Sequence, residues 1–197
     1  MKLGRDMEAQ PCGCEFVVTD GRCRPARLEP RLPGLVFDPG AKGGEQTGPS
    51  PVDRGRPGTK RHVVVERGGL PLAAVLSAAN VHDSRMLEIA IDAVPSIAGP
   101  RGRPRFRPKK LHADKGYDYT RCRAALRARG IIARTARRGQ DSSQHLGRPR
   151  WVVERTPAWL NRFRRLRVRY ERRADIHQAS LSLGCALICH NHLQRFC

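Results

Sequence analysis

The hydrophobic period changes several times along this chain, and each change marks an element. His62–Val65 and Leu72–Ser77 are β-rich runs separated by ERGGLP, so Gly68 and Gly69 read as the turn of an antiparallel hairpin. Asp83 can cap a helix whose apolar positions Met86, Leu87, Ile89, Ala90 and Ala93 continue to Val94, where Pro95 stops it. Lys110–Ala113 is a short strand ending at Asp114. Thr120–Arg129 reads as a helix closed by Gly130, and Ile131–Thr135 as another strand. Trp151–Tyr170 has the length and spacing of one long basic helix, and Asp175–Leu193 is apolar enough to pack on a sheet. Strand, helix, strand, helix in this order favours parallel neighbours and an α/β fold.

The chain before these elements has no such period. Residues 1–60 are dense in Gly and Pro, and Lys42–Gly58 (KGGEQTGPSPVDRGRPG) reads as loop, because it can sustain neither a strand ladder nor a helix. Residues 99–109, GPRGRPRFRPK, read as a basic linker.

Charge sharpens the picture. The 197 residues carry 38 Lys plus Arg against 18 Asp plus Glu, a formal charge of +20. Residues 1–50 are balanced at 7 of each sign, whereas residues 51–197 hold 31 basic and 11 acidic side chains. A basic body of this kind points to a polyanion, above all nucleic acid, because Lys and Arg replace the counterions condensed on phosphates. A ribosomal-type component or a merely soluble cationic protein is the bland alternative. No apolar run approaches the roughly 20 residues of a bilayer span, and Met1–Gln10 lacks the core of a secretory signal, which gives a cytosolic reading without a membrane partner. Seven cysteines without an export signal do not indicate a disulfide framework. Cys12, Cys14 and Cys23 lack a fourth ligand at zinc-finger spacing, and Cys185 and Cys189 suit small buried helix positions.

Two acids stand out against the basic background. Asp114, in KKLHADKGYD, follows a strand end directly, where open α/β sheets place reacting groups. Glu154, in RPRWVVERTPAWLNRFRRL, is the only carboxylate between Asp141 and Glu171. Phosphoryl transfer uses such carboxylates to hold two Mg²⁺ ions roughly 3.5–4 Å apart, flanked by cations that grip the phosphate backbone. The alternatives are that Asp114 caps the following helix and that Glu154 pairs with Arg150 or Arg155.

The run KGGEQTGPSPVDRGRPGTKRHVVVERGGLPLAAVLSAANVHDSRMLE, then LHADKGYD, then GRPRWVVERTPAWLNRFRRLRVRYERRADIH, resembles the catalytic part of bacterial insertion-sequence transposases of the IS-five type. The resemblance implies a DDE enzyme with a ribonuclease-H-like fold, a mixed sheet flanked by helices, over residues 43–197. It also implies Mg²⁺ or Mn²⁺ as cofactor, the insertion-sequence ends and target DNA as partners, assembly as a homo-oligomer on DNA, and a bacterial, nucleoid-associated location. Carried over by position, Asp114 corresponds to the family's second aspartate and Glu154 to its glutamate, both as metal ligands. Arg150 matches a basic position that contacts phosphate. Lys115, Arg155, Arg162, Arg164 and Arg165 resemble the family's DNA-binding cations. Asp53 matches a family residue expected to be structural or DNA-adjacent.

The sequence also departs from the family. Pro149 and Pro157 replace a basic and an apolar residue, and the amino-terminal DNA-binding portion has no recognisable counterpart. The Ser-rich segment that carries the family's first aspartate is replaced by GLVFDPGAKGGE, in which Asp38 is the nearest acid. Gly34–Gly40 can be encoded as GGA CTC GTC TTC GAT CCC GGC, and the same bases read one position later give D-S-S-S-I-P. Residues 1–42 are therefore expected to be a disordered or out-of-frame head. On that reading Asp38 is an accident and the chain is an inactive remnant that binds DNA non-specifically. The alternative makes Asp38 the first metal ligand of a working enzyme.

Overall fold

The computed structural model describes residues 15–20, 43–51, 54–97, 107–113, 115–135 and 155–196, with backbone alone at 15–20, Lys115 and Phe196. One mixed sheet organises them. Its strands are β1 (Glu15–Asp20), β2 (Gly48–Pro49), β3 (Pro57–Val65), β4 (Pro71–Ala78), β5 (Lys110–Ala113) and β6 (Ile132–Thr135). β4 pairs antiparallel with β3 and β3 antiparallel with β1, whereas β1 runs parallel to β5 and β5 parallel to β6. The short β2 pairs with the start of β3. Three antiparallel strands leading into a parallel pair, with helices on both faces, is the mixed α/β arrangement that the resemblance implies.

β1 corrects the reading of residues 1–60 as chain without a period. EFVVTD lies between β3 and β5, with Val18 opposite both Val64 and Ala113. The hairpin lies where the pattern put it. The Glu66 N–H donates to the Leu70 carbonyl, the Gly69 N–H donates to the Glu66 carbonyl, and Gly69 has φ +84°, a left-handed conformation that glycine adopts without strain. Gly130, at φ +70°, closes helix α2 (Thr120–Ala128) in the same way.

Alternation along β3 splits the core. Val64 faces α1 (Asp83–Asp92) and α2 with Leu87, Ile91, Leu111 and Leu126, while Val63 and Val65 face α5 (Ala174–Phe196) with Leu181 and Ile188. Each fully buried Leu or Val contributes roughly 1.5–3 kcal/mol. In α1 the inward stripe is Met86, Leu87, Ala90 and Ile91, so Ile89 stands off it and is 54% exposed. The cap of this helix differs from expectation. His82 is the N-cap, its Nδ1 accepting from the Ser84 N–H at 3.2 Å, and Asp83 turns inward instead.

The single helix expected over Trp151–Tyr170 is broken. Residues 155–160 form α3, residues 161–163 turn, Arg164–Arg167 form the short α4, and Val168 is extended. The cause is packing. Leu160 and Leu166 belong to the same cluster against α5, yet residues six apart point about 120° away from each other on one helix. The turn brings both to the core, and Asn161 Oδ1 at the break accepts from Arg61 Nη2 at 2.8 Å.

Buried Arg169 ties the next stretch to the KGGE segment. It donates to Thr47 Oγ1, Thr59 Oγ1 and the carbonyls of Glu45, Glu171 and Arg172 over 2.6–3.1 Å. Burial lowers its pKa, an effect that Glu171 and Glu45 oppose. Glu45 then accepts from the Ala174 N–H at 3.2 Å and so satisfies an orphan donor at the start of α5.

Candidate active site and nucleic-acid interface

Asp38, Asp53, Asp114, Arg150 and Glu154 lie outside the described residues, as do Cys12, Cys14 and Cys23. The elements on either side of Asp114 are described. β5 ends at Ala113, and a 3₁₀ turn, Lys115–Tyr117, follows. β5 and its parallel neighbour β1 finish at the same end of the sheet, and β1 finishes on Asp20. Asp20 is an acid that the sequence reading missed. The signal for it was the short β-rich run Phe16-Val17-Val18 in front of it.

Two buried polar groups support the 3₁₀ turn. Tyr117 is fully buried, and its hydroxyl lies 3.1 Å from Nδ1 of His62, itself fully buried on β3. Nε2 of His62 lies 2.8 Å from Ser77 Oγ on β4. Desolvation is the main influence on His62 and lowers its pKa to about 4, with Asp83 opposing and Lys60 adding to the shift. The ring is therefore neutral near pH 7. A neutral imidazole carries one N–H, so His62 donates to one of the two hydroxyls and accepts from the other. The second group is an ion pair. Lys60 Nζ donates to Asp83 Oδ1 at 2.9 Å and to the Val81 carbonyl at 3.0 Å. A Cβ on Gly116 would lie 3.3 Å from Asp83 Oδ2, so the carboxylate packs directly against the turn.

The chain just after Glu154 is anchored as well. Thr156 Oγ1 donates to the Gly69 carbonyl at 2.6 Å and Arg155 Nη1 to the Gly68 carbonyl at 3.4 Å, while the Arg155 guanidinium sits 4.1 Å from the Trp159 ring centroid. The described part of α3 is therefore anchored on the β3–β4 turn. Of the cations carried over from the resemblance, Arg162, Arg164 and Arg165 are exposed on the broken segment, and Arg165 also pairs with Glu171 Oε1 at 3.0 Å. Cys185 and Cys189 lie on α5, and burial pushes the Cys185 thiol up to about 12, which makes it a packing residue.

Among the described residues, no three His, Cys, Asp or Glu side chains gather to hold a metal ion, and no helix is long and apolar enough to cross a membrane. The donors named by the resemblance are carboxylates, which suit a hard divalent cation.

Comparison with known proteins settles the family. The chain matches the Transposase DDE domain family over residues 33–189. It is also 48% identical over 206 residues to a Burkholderia cepacia protein named "Putative transposase for insertion sequence element IS402", covering 99% of this chain and 98% of the relative. That alignment therefore takes in the head as well as the basic body. A mixed sheet with two parallel strands ending beside the ADKGYD segment, a basic carboxyl-terminal portion and these two matches together make the chain a member of the DDE transposase family.

Proposed function

We propose that this transposase cuts and joins DNA at the ends of an insertion sequence, with Asp114 and Glu154 as metal-binding carboxylates and Mg²⁺ or Mn²⁺ as the bound ion. The observation that carries the assignment of Asp114 is its place in the chain, between the end of β5 and the Lys115–Tyr117 turn, where β1 also ends. When bound, divalent cations activate the attacking oxygen and stabilise the leaving one. The carboxylates hold them. In the first reaction, water attacks a phosphorus at the element end, the P–O3′ bond breaks, and a 3′-hydroxyl leaves. In the second, that hydroxyl attacks a target phosphodiester and releases another 3′-hydroxyl, so each step exchanges one phosphodiester oxygen for another.

Lys115, Arg150, Arg155, Arg162, Arg164 and Arg165 supply contacts to DNA phosphates, which position the duplex without reading its sequence. Two ends must be held together for joining, which calls for more than one copy of the chain on the DNA. The work takes place on the nucleoid, in the bacterial cytoplasm. We assign residues 43–197 as the catalytic portion and residues 1–42 as a head that lends β1 to its sheet. For the first carboxylate, the end of β1 favours Asp20 as a candidate beside Asp38.

Purified protein incubated with end DNA and Mg²⁺ tests this reading. Cleavage is expected with metal and absent in EDTA, with DNA binding retained, and Asp114→Asn and Glu154→Gln should each abolish cleavage. Comparing Asp20→Asn with Asp38→Asn identifies the first carboxylate. Binding without cleavage under every metal tried would overturn the enzymatic assignment and leave a DNA-binding remnant.

A further inference from the structure

A three-residue 3₁₀ turn has little stability of its own, because its hydrogen bonds are poorly aligned and few. The position of Lys115–Tyr117 therefore depends on what grips the turn from outside. The Tyr117 ring is fully buried in the α1/α2 core, but its hydroxyl needs a polar partner there. Nδ1 of His62, a residue 55 positions earlier in the chain, is one such partner, at 3.1 Å. His62 is in turn held by Ser77 across the β3–β4 ladder. Neither His62 nor Ser77 belongs to the carboxylate set, and their burial removes them from contact with DNA.

We propose that His62 is a positioning residue, which through Tyr117 fixes the turn following Asp114 and thereby sets the affinity of that carboxylate for a divalent cation. The inference rests on the assignment of Asp114 as a metal ligand. Groups hydrogen-bonded to a metal ligand typically change metal affinity by about 10–100-fold when removed, and His62 acts from further out, which puts its effect at the low end of that range. The two amide replacements separate the two ring contacts. Asn places its amide near the position of Nδ1 and can keep the Tyr117 contact. Gln reaches toward the position of Nε2 and keeps the Ser77 contact only.

The test is a Mn²⁺ titration of the full chain, followed by the loss of the free-ion electron paramagnetic resonance signal, with thermal melting recorded for each variant. Tyr117→Phe and His62→Gln should weaken Mn²⁺ binding by about tenfold, and His62→Asn should stay within about threefold of the parent. DNA binding in EDTA should not change. Wild-type Mn²⁺ affinity in Tyr117→Phe, with Asp114→Asn clearly weakened, would overturn the positioning role and leave the Asp114 assignment standing. Equal weakening in His62→Asn and His62→Gln at matched melting temperature would also overturn it. If Asp114→Asn binds Mn²⁺ as the parent does, the ligand assignment itself falls and this inference with it. Should His62→Gln fail to fold, Tyr117→Phe decides the matter, because it removes one hydroxyl and keeps the buried ring.

Discussion

Gly44 packs against the backbone of Arg172 so closely that a Cβ on Gly44 would collide with the Arg172 carbonyl oxygen. This contact joins the KGGE segment to the chain entering α5, and the next residue, Glu45, donates its N–H to the same carbonyl at 3.2 Å. Both sides of the contact are backbone, so neither can rotate away. Gly44→Ala is therefore expected to destabilise the protein by about 2 kcal/mol, in the range of overpacking substitutions. Urea unfolding should show the loss, and an unchanged midpoint would mean that the loop gives way without cost.

The Lys60–Asp83 pair beneath the 3₁₀ turn is largely buried, with side chains 16% and 3% exposed. Removing the lysine takes a hydrogen-bonded cation away from the buried carboxylate, so Lys60→Met should cost about 3 kcal/mol. The double variant Lys60→Met with Asp83→Asn should be less damaged than Lys60→Met alone, because the buried charge is gone. A double-mutant cycle in urea measures this coupling, and simple additivity would show that the pair contributes nothing beyond its separate parts.

Acid should weaken the fold through His62. Its pKa falls from 6.5 to about 4 on folding, so the unfolded chain takes up the proton first as pH drops. The associated stability is complete above about pH 6.5 and is lost progressively toward pH 4, a total of about 3 kcal/mol. His62→Asn should flatten this part of the stability profile. His177, whose pKa burial also lowers, keeps a residual slope of the same sign. A profile between pH 7 and 4 that is identical in parent and His62→Asn would refute the assignment of this acid limb to His62.

Replacing Arg162, Arg164 and Arg165 together by Ala should weaken binding to any duplex and flatten the dependence of affinity on salt, since each phosphate contact releases counterions. The fold should survive the change, because all three side chains are exposed and Leu160 and Leu166 keep the segment on α5, the main loss being the Arg165–Glu171 pair. Fluorescence anisotropy over a salt series provides the measurement. Unchanged affinity and slope would make this a solvated face.

By itself, the sequence determined whatever depends on neighbours in the chain. The β-rich runs His62–Val65 and Leu72–Ser77 on either side of Gly68 and Gly69 encode the hairpin, KLHA before Asp114 encodes β5, and Gly130 encodes the stop of α2, each through a local period or a left-handed turn. The motif order alone carries the family resemblance, and it nominates Asp114 and Glu154 by position. Tertiary structure decided the rest. EFVVTD carries only six residues of strand signal and becomes β1 because β3 and β5 leave a ladder for it to join. The arginine-rich segment has a helical period, yet it breaks at 161–163 because Leu160 and Leu166 must reach the same core. Asp83 looks like a cap in the sequence and is instead the partner of Lys60, 23 residues away. The link from Ser77 through His62 to Tyr117 has no sequence signature, because burial and hydrogen bonding between distant strands exist only once the chain has closed on itself.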